Sequence, residues 1–155
     1  MRLSASNQLD ESDTIEFINI DLTQSTFLPF YTSQVSAGFP SPADNYLEFT
    51  ININEIIAPN PVSTFFVRVN GDSMIDAHIP QKAILAVDKA LEAKHNDIVV
   101  CYLDGDFTVK RLIIEQKEVW LKPENCKYKP IAITPEMEFQ VWGVVITVMY
   151  KPKDI

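Results

Sequence analysis

Apolar and polar side chains alternate with period two in several stretches of this chain, and that period predicts strands. Leu47, Phe49, Ile51 and Ile53 alternate with Glu48, Thr50, Asn52 and Asn54, as in a strand with one buried face; a helical turn over 54–57 is expected before Pro59. Further β-rich runs fall at 64–69, 84–88, 97–103, 106–114, 119–122 and 139–150. Asp104-Gly105 separates two of them. Both central residues of a type I′ turn need positive φ, which Asp-Gly accommodates, so 97–103 and 106–114 should form an antiparallel hairpin. Ile18, Ile20 and Leu22 alternate with Asn19 and Asp21, a further short strand. Helical periodicity is nearly absent, and the expected fold is mainly β, with strongly bent antiparallel sheets and a short N-terminal arm.

Residues 1–37 form that arm. Arg2 is its single fixed cation against Asp10, Glu11, Asp13, Glu16 and Asp21, a net charge of −4, and its few apolar anchors cannot make an independent core. It also leaves no room for a helix-turn-helix domain with a linker. From 31 to 46 the chain reads YTSQVSAGFPSPADNY. Pro40 and Pro42 oppose both helix and central-strand pairing, so an extended, accessible segment is expected.

Composition narrows the function classes. At 155 residues and 46% hydrophobic content the chain suits one folded domain with an appendage. Thirteen Lys and Arg against 21 Asp and Glu give a formal charge of −8, which disfavours direct attraction to nucleic acid or anionic membranes. The most apolar run, 141–150, is about ten residues where a membrane span needs about 20, and no secretory leader pattern opens the sequence. Cys101 and Cys126 are too few for a disulfide framework and have no clustered ligands, so a cytoplasmic protein without metal or cofactor is expected.

Candidate chemistry begins at Gly71-Asp72-Ser73-Met74, which follows the β-run 64–69. A serine at a strand end can expose its hydroxyl, with the backbone N–H groups of Asp72 and Ser73 aimed where an oxyanion would form. Gly-Asp-Ser is equally an ordinary turn, with Ser73 as a helix cap. His78 and His95 lie in polar stretches without orienting partners and read as surface residues. Lys110 is the unusual candidate base. Alternation puts Thr108, Lys110, Leu112 and Ile114 on one face and Arg111 on the other. A lysine near pKa 10.4 must fall by about 3 units to act near neutral pH, costing about 4 kcal/mol, so it must be buried. A lysine stem laid along the sheet with its ammonium in water is the ordinary alternative.

Three stretches taken together decide between these readings: Ala37-Gly38 within Val-Ser-Ala-Gly-Phe-Pro-Ser-Pro, the Gly-Asp-Ser-Met-Ile-Asp turn, and Asp104-Gly105-Asp106-Phe107-Thr108-Val109-Lys110, with Gly143-Val144-Val145 downstream. In this pattern the chain resembles the LexA/UmuD family of self-cleaving Ser/Lys peptidases over about three quarters of its length, and its short arm looks UmuD-like. The resemblance implies that Ser73 is the nucleophile, that Lys110 is the general base and then acid, and that the substrate is the Ala37–Gly38 peptide bond. It divides the chain into an arm, 1–37, removed by self-cleavage, and a peptidase-like domain, 38–155. It further implies a homodimer, activation by a RecA filament on single-stranded DNA after DNA damage, and service of the trimmed dimer to a UmuC-like error-prone polymerase in translesion synthesis. Alanine at 37, where UmuD-like proteins commonly have cysteine, follows the LexA pattern. Two rival classes remain: a non-enzymatic polymerase-accessory module on the same fold, and a LexA-type transcription repressor, which the acidic N-terminus disfavours.

Overall fold

The computed structural model describes residues 13–31 and 47–154. The Ala37–Gly38 bond, most of the Pro-rich 31–46 stretch and the first twelve residues lie outside the described residues.

The strands are β1 (Thr14–Ile18), β2 (Phe27–Tyr31), β3 (Leu47–Asn52), β4 (Thr64–Asn70), β5 (Ile84–Asp88), β6 (Ile98–Leu103), β7 (Asp106–Glu115), β8 (Glu118–Lys122), β9 (Ile131–Ala132) and β10 (Phe139–Met149). One five-residue helix, α1 (Ile53–Ile57), follows β3, and 3-10 turns occupy Ile75–Ala77 and Pro152–Asp154. The expected strands recur within a residue or so, and the β6–β7 hairpin turns through Asp104 and Gly105, with φ of 47° and 100°. β9 is a two-residue strand that periodicity cannot detect. β2 also escapes the pattern, because Pro29 interrupts its run Phe27–Tyr31.

The expected strand at 18–22 is displaced. The ladder runs earlier, with Thr14 opposite Asn70 and Ile18 opposite Phe66, and stops at Ile18. Ile20 and Leu22 pack with Ile18 against Ala58, Phe66 and Ala86 without continuing the ladder. Their alternation therefore records burial of one face and not hydrogen-bonded pairing. The arm is correspondingly less of an appendage than its polarity implies, since β1 forms an edge of the main sheet and β2 pairs with β3. Tyr31 lies opposite Leu47 in that ribbon, so both ends of the 32–46 connection are held together.

Eight strands form an antiparallel sheet in the order β1-β4-β5-β10-β6-β7-β8-β9. It curls until β1, the first strand, meets β7, the sixth. β10 makes the curl possible. Its register shifts between Val141 and Gly143 and again between Val145 and Thr147, so its first half pairs with β6 and its second with β5. Such bulges bend a strand and increase its twist. Gly143 sits at this crossing. A Cβ there would come within 2.7 Å of Val87 Cγ1 and 3.0 Å of the Asp88 carbonyl oxygen. Gly143→Ala should therefore destabilise the domain by about 1–3 kcal/mol, the usual cost of overpacking, read as a lower urea midpoint at unchanged slope.

The interior divides among several apolar clusters. One gathers Val67, Val69, Met74, Ile79, Leu85, Val87, Val100 and Val109. A second holds Val99, Cys101, Leu103, Leu112, Leu121 and Val144. Both faces of β6 are therefore covered, and the 108–110 stretch of β7 beside it is buried at all three positions.

Candidate active site

β4 ends at Asn70, and Gly71 turns the chain at φ 128°, a conformation that favours glycine because it has no Cβ. The next residues close into a tight turn: Ile75 N–H donates to the Asp72 carbonyl at 3.2 Å and Ala77 N–H to that of Met74 at 3.1 Å. Met74, 1% exposed, anchors the turn in the core and fixes Ser73 beside it at 2% exposure. Ser73 is not the cap. Met74 holds that position in the 3-10 turn, without a side-chain hydrogen bond.

A second loop clamps this turn from outside. Asn125 Nδ2 donates to the Asp72 carbonyl at 2.9 Å, Tyr128 Oη to Asp72 Oδ1 at 2.5 Å, and Asp76 N–H to the Glu124 carbonyl at 2.8 Å. Arg111 braces the loop in turn, its Nε donating to Glu124 Oε1 at 2.5 Å. Consecutive residues of β7 thus divide the work of building the site: Arg111 holds the clamp and Lys110 reaches the serine.

Lys110 is 3% exposed. Its Nζ donates to Ser73 Oγ at 3.0 Å, Thr108 Oγ1 at 2.7 Å and the Val109 carbonyl at 3.0 Å. Thr108 stands two residues earlier on the same strand face, where period two places it. The amine is buried with its stem, the side chain being 4% exposed, unlike a snorkelling lysine. A hydroxyl and an amine at 3.0 Å are within proton-transfer reach, and an amine without its extra proton could take the hydrogen of Ser73.

A fourth partner comes from the arm. Asp13, immediately before β1, places Oδ2 at 2.7 Å from Ser73 Oγ and 2.5 Å from Lys110 Nζ, with Thr108 Oγ1 at 3.4 Å. The two side chains of this ion pair are only 4% and 8% exposed. Sequence reasoning counted Asp13 among the arm's charges and missed this contact, because nothing local links it to residues 60 and 97 positions away. It likewise missed Asn125 and Tyr128, polar residues of a loop without strand periodicity.

His78 and His95 are both exposed. His95 Nδ1 accepts the Ile114 N–H at 3.0 Å, and His78 closes the 3-10 turn at φ 60°. Cys101, on β6 opposite Thr108, is buried, which pushes its thiol up to about 12 despite the nearby Lys110 charge; Cys126 is exposed. The reactive form of a cysteine is the thiolate. Ellman's reagent at pH 8 should therefore titrate one thiol in the native protein and two in denaturant, and Cys126→Ser should remove the native signal.

Comparison with known proteins fits this geometry. The Peptidase S24-like family model matches residues 29–146. The chain belongs to that family. MucA of Salmonella typhimurium is 41% identical over 119 residues, covering 76% of this chain and 81% of that protein. ImpA of Escherichia coli is 35% identical over 127 residues, covering 82% and 86%, and SamA of Salmonella typhimurium strain LT2 is 40% identical over 125 residues, covering 81% and 86%. The resemblance to the LexA/UmuD peptidases, and within them to the UmuD-like members, is thus carried by most of the chain. Among the described residues no helix is long and apolar enough to cross a membrane, and no three His, Cys, Asp or Glu side chains gather as a metal site would need.

Proposed function

We propose that this S24 family member is a self-cleaving serine peptidase with Ser73 as nucleophile and Lys110 as general base. The observation that carries the reading is a serine hydroxyl 3.0 Å from the amine of a lysine that is 3% exposed. Burial is the established physical route to a neutral lysine, and histidine is not needed where such an amine is in reach.

The substrate is the Ala37–Gly38 bond. Ser73 Oγ adds to the Ala37 carbonyl carbon while its proton passes to Lys110 Nζ, and the Asp72 and Ser73 backbone N–H groups hold the oxyanion. Collapse breaks the C–N bond, with Lys110 returning the proton to the Gly38 nitrogen. Water then hydrolyses the Ala37 ester through the same amine, regenerating Ser73 and leaving an Ala37 carboxylate. Small residues on both sides of the bond permit close backbone approach, and an extended segment can enter as an added strand. Tethering supplies the effective concentration that lets a single turnover proceed with a modest base.

Regulation follows from the family resemblance. A RecA filament on single-stranded DNA would favour the docked conformation by binding it preferentially. Loss of residues 1–37 would remove −4 of the −8 charge and uncover what β1 and β2 shield, converting a homodimer into the accessory subunit of a UmuC-like error-prone polymerase in the SOS response. Incubation of the full chain at alkaline pH, followed by intact-mass spectrometry, should release a fragment ending at Ala37. Persistence of the full-length chain, with the filament also present, would favour the non-enzymatic module.

A further inference from the structure

Asp13 is the one charged group of the described arm that is buried in the main domain, and it ends at the atoms the proposed reaction needs. Resting on that reading of Ser73 and Lys110, we propose that β1 with Asp13 is a built-in plug, which must leave before the Ala37 carbonyl can reach Ser73.

Three features of the contact argue for inhibition. The first is space: Oδ2 lies 2.7 Å from Ser73 Oγ and 2.5 Å from Lys110 Nζ, the position beside nucleophile and base that a reacting group must occupy. The second is the direction of the hydrogen bonds. Ser73 donates its hydroxyl hydrogen to Asp13, and Lys110 donates to Ser73, whereas a general base would accept that hydrogen. The third is charge. A carboxylate favours an ammonium beside it, and an ammonium has three donors and no acceptor. Among the described residues, the Cys101 thiol on β6 is a further titratable group close to this amine, and it is neutral when protonated.

Removing the plug would therefore act twice. It opens the site, and it frees Ser73 Oγ and Lys110 Nζ from the partner they share, so that the two can face each other alone.

The plug is built to be dislodged. β1 is a five-residue edge strand held by its ladder to β4. Ile15 packs on the core, and Phe17 sits among aromatic rings, 5.1 Å from Phe107, 5.8 Å from Phe65 and 5.9 Å from Trp142, while remaining 46% exposed. Its ion pair between Glu16 and Arg68, at 3.3 Å, is exposed and contributes little. β1 also precedes the 29–146 region matched by the family model, so the plug lies outside the part of the chain that the family model describes.

The test is the rate at which the full-length chain releases a fragment ending at Ala37, without activator, at pH 8. Asp13→Asn keeps the side-chain shape and removes the charge; it should cleave roughly tenfold faster than wild type, and adding Ser73→Ala should abolish cleavage. Phe17→Ala loosens the strand from outside the site and should accelerate cleavage to a smaller extent, and it decides the matter alone if Asp13→Asn loses its cooperative thermal transition. Rates at or below wild type in the folded variants would overturn the plug while leaving the Ser/Lys reading intact. If wild type and both variants stay uncut even at alkaline pH with the filament present, the Ser/Lys reading itself falls.

Discussion

Ser73→Ala is expected to abolish release of the fragment ending at Ala37 while leaving the domain folded. The hydroxyl oxygen is the only heavy atom lost, so the proposed reaction loses its nucleophile, and the rate should fall by a factor on the order of 10⁴ or more. Stability should change by only about 1 kcal/mol. The hydroxyl has two partners, Asp13 and Lys110, and these remain paired with each other at 2.5 Å when it is gone. Intact-mass spectrometry at alkaline pH reads the first effect and a thermal melt the second. Undiminished cleavage in a folded Ser73→Ala chain would remove the serine from the mechanism.

Lys110 is expected to be as necessary, and its substitutions separate charge from basicity. Lys110→Arg keeps a cation that can pair with Asp13 but cannot give up its proton, so cleavage should be lost at every pH where the fold persists. Lys110→Met keeps the length of the stem and removes the charge, and should also be inactive. Met carries a structural penalty as well, because it strands the Asp13 carboxylate, 8% exposed, without its cation. Breaking a buried pair in this way costs about 3–5 kcal/mol when nothing can relax. Here β1 can relax by leaving the β4 edge. The expected signature of Lys110→Met is therefore faster hydrogen exchange along 14–18 with a smaller loss of global stability, whereas Lys110→Arg should keep β1 in place. Cleavage by either variant at the wild-type rate would exclude lysine as the base.

If the plug holds, the arm has two tasks. Before cleavage it keeps Ser73 and Lys110 idle, and on cleavage it departs with the bond that it guarded. The aromatic group of Phe65, Phe107 and Trp142 then loses Phe17, its contribution from β1. A partner that pulled the first residues away would both open the site and release the amine from its counter-ion.

The mainly β architecture, the β6–β7 hairpin and the placement of Lys110 opposite Arg111 were legible in the sequence because they are local. Strand periodicity acts over two residues and turn chemistry over four, and both leave a mark that burial of one face enforces. The same logic misplaced the strand in the arm, since Ile20 and Leu22 alternate for burial against Phe66 and Ala86 without joining the ladder. Ser73 and Lys110 were singled out as candidates through their joint spacing with Ala37-Gly38, a pattern meaningful only by resemblance to a family.

By itself, the sequence determined which residues could do chemistry and on which strand face or turn each stands. Tertiary structure decided which of them meet. The β1–β4 ladder sets Asp13 beside the turn that carries Ser73, and the bulges of β10 curl the sheet until β1 reaches β7, which brings Asp13 to within 2.5 Å of Lys110 across 97 residues of chain. Such a contact depends on the summed twist and register of several strands, which no short window of sequence contains.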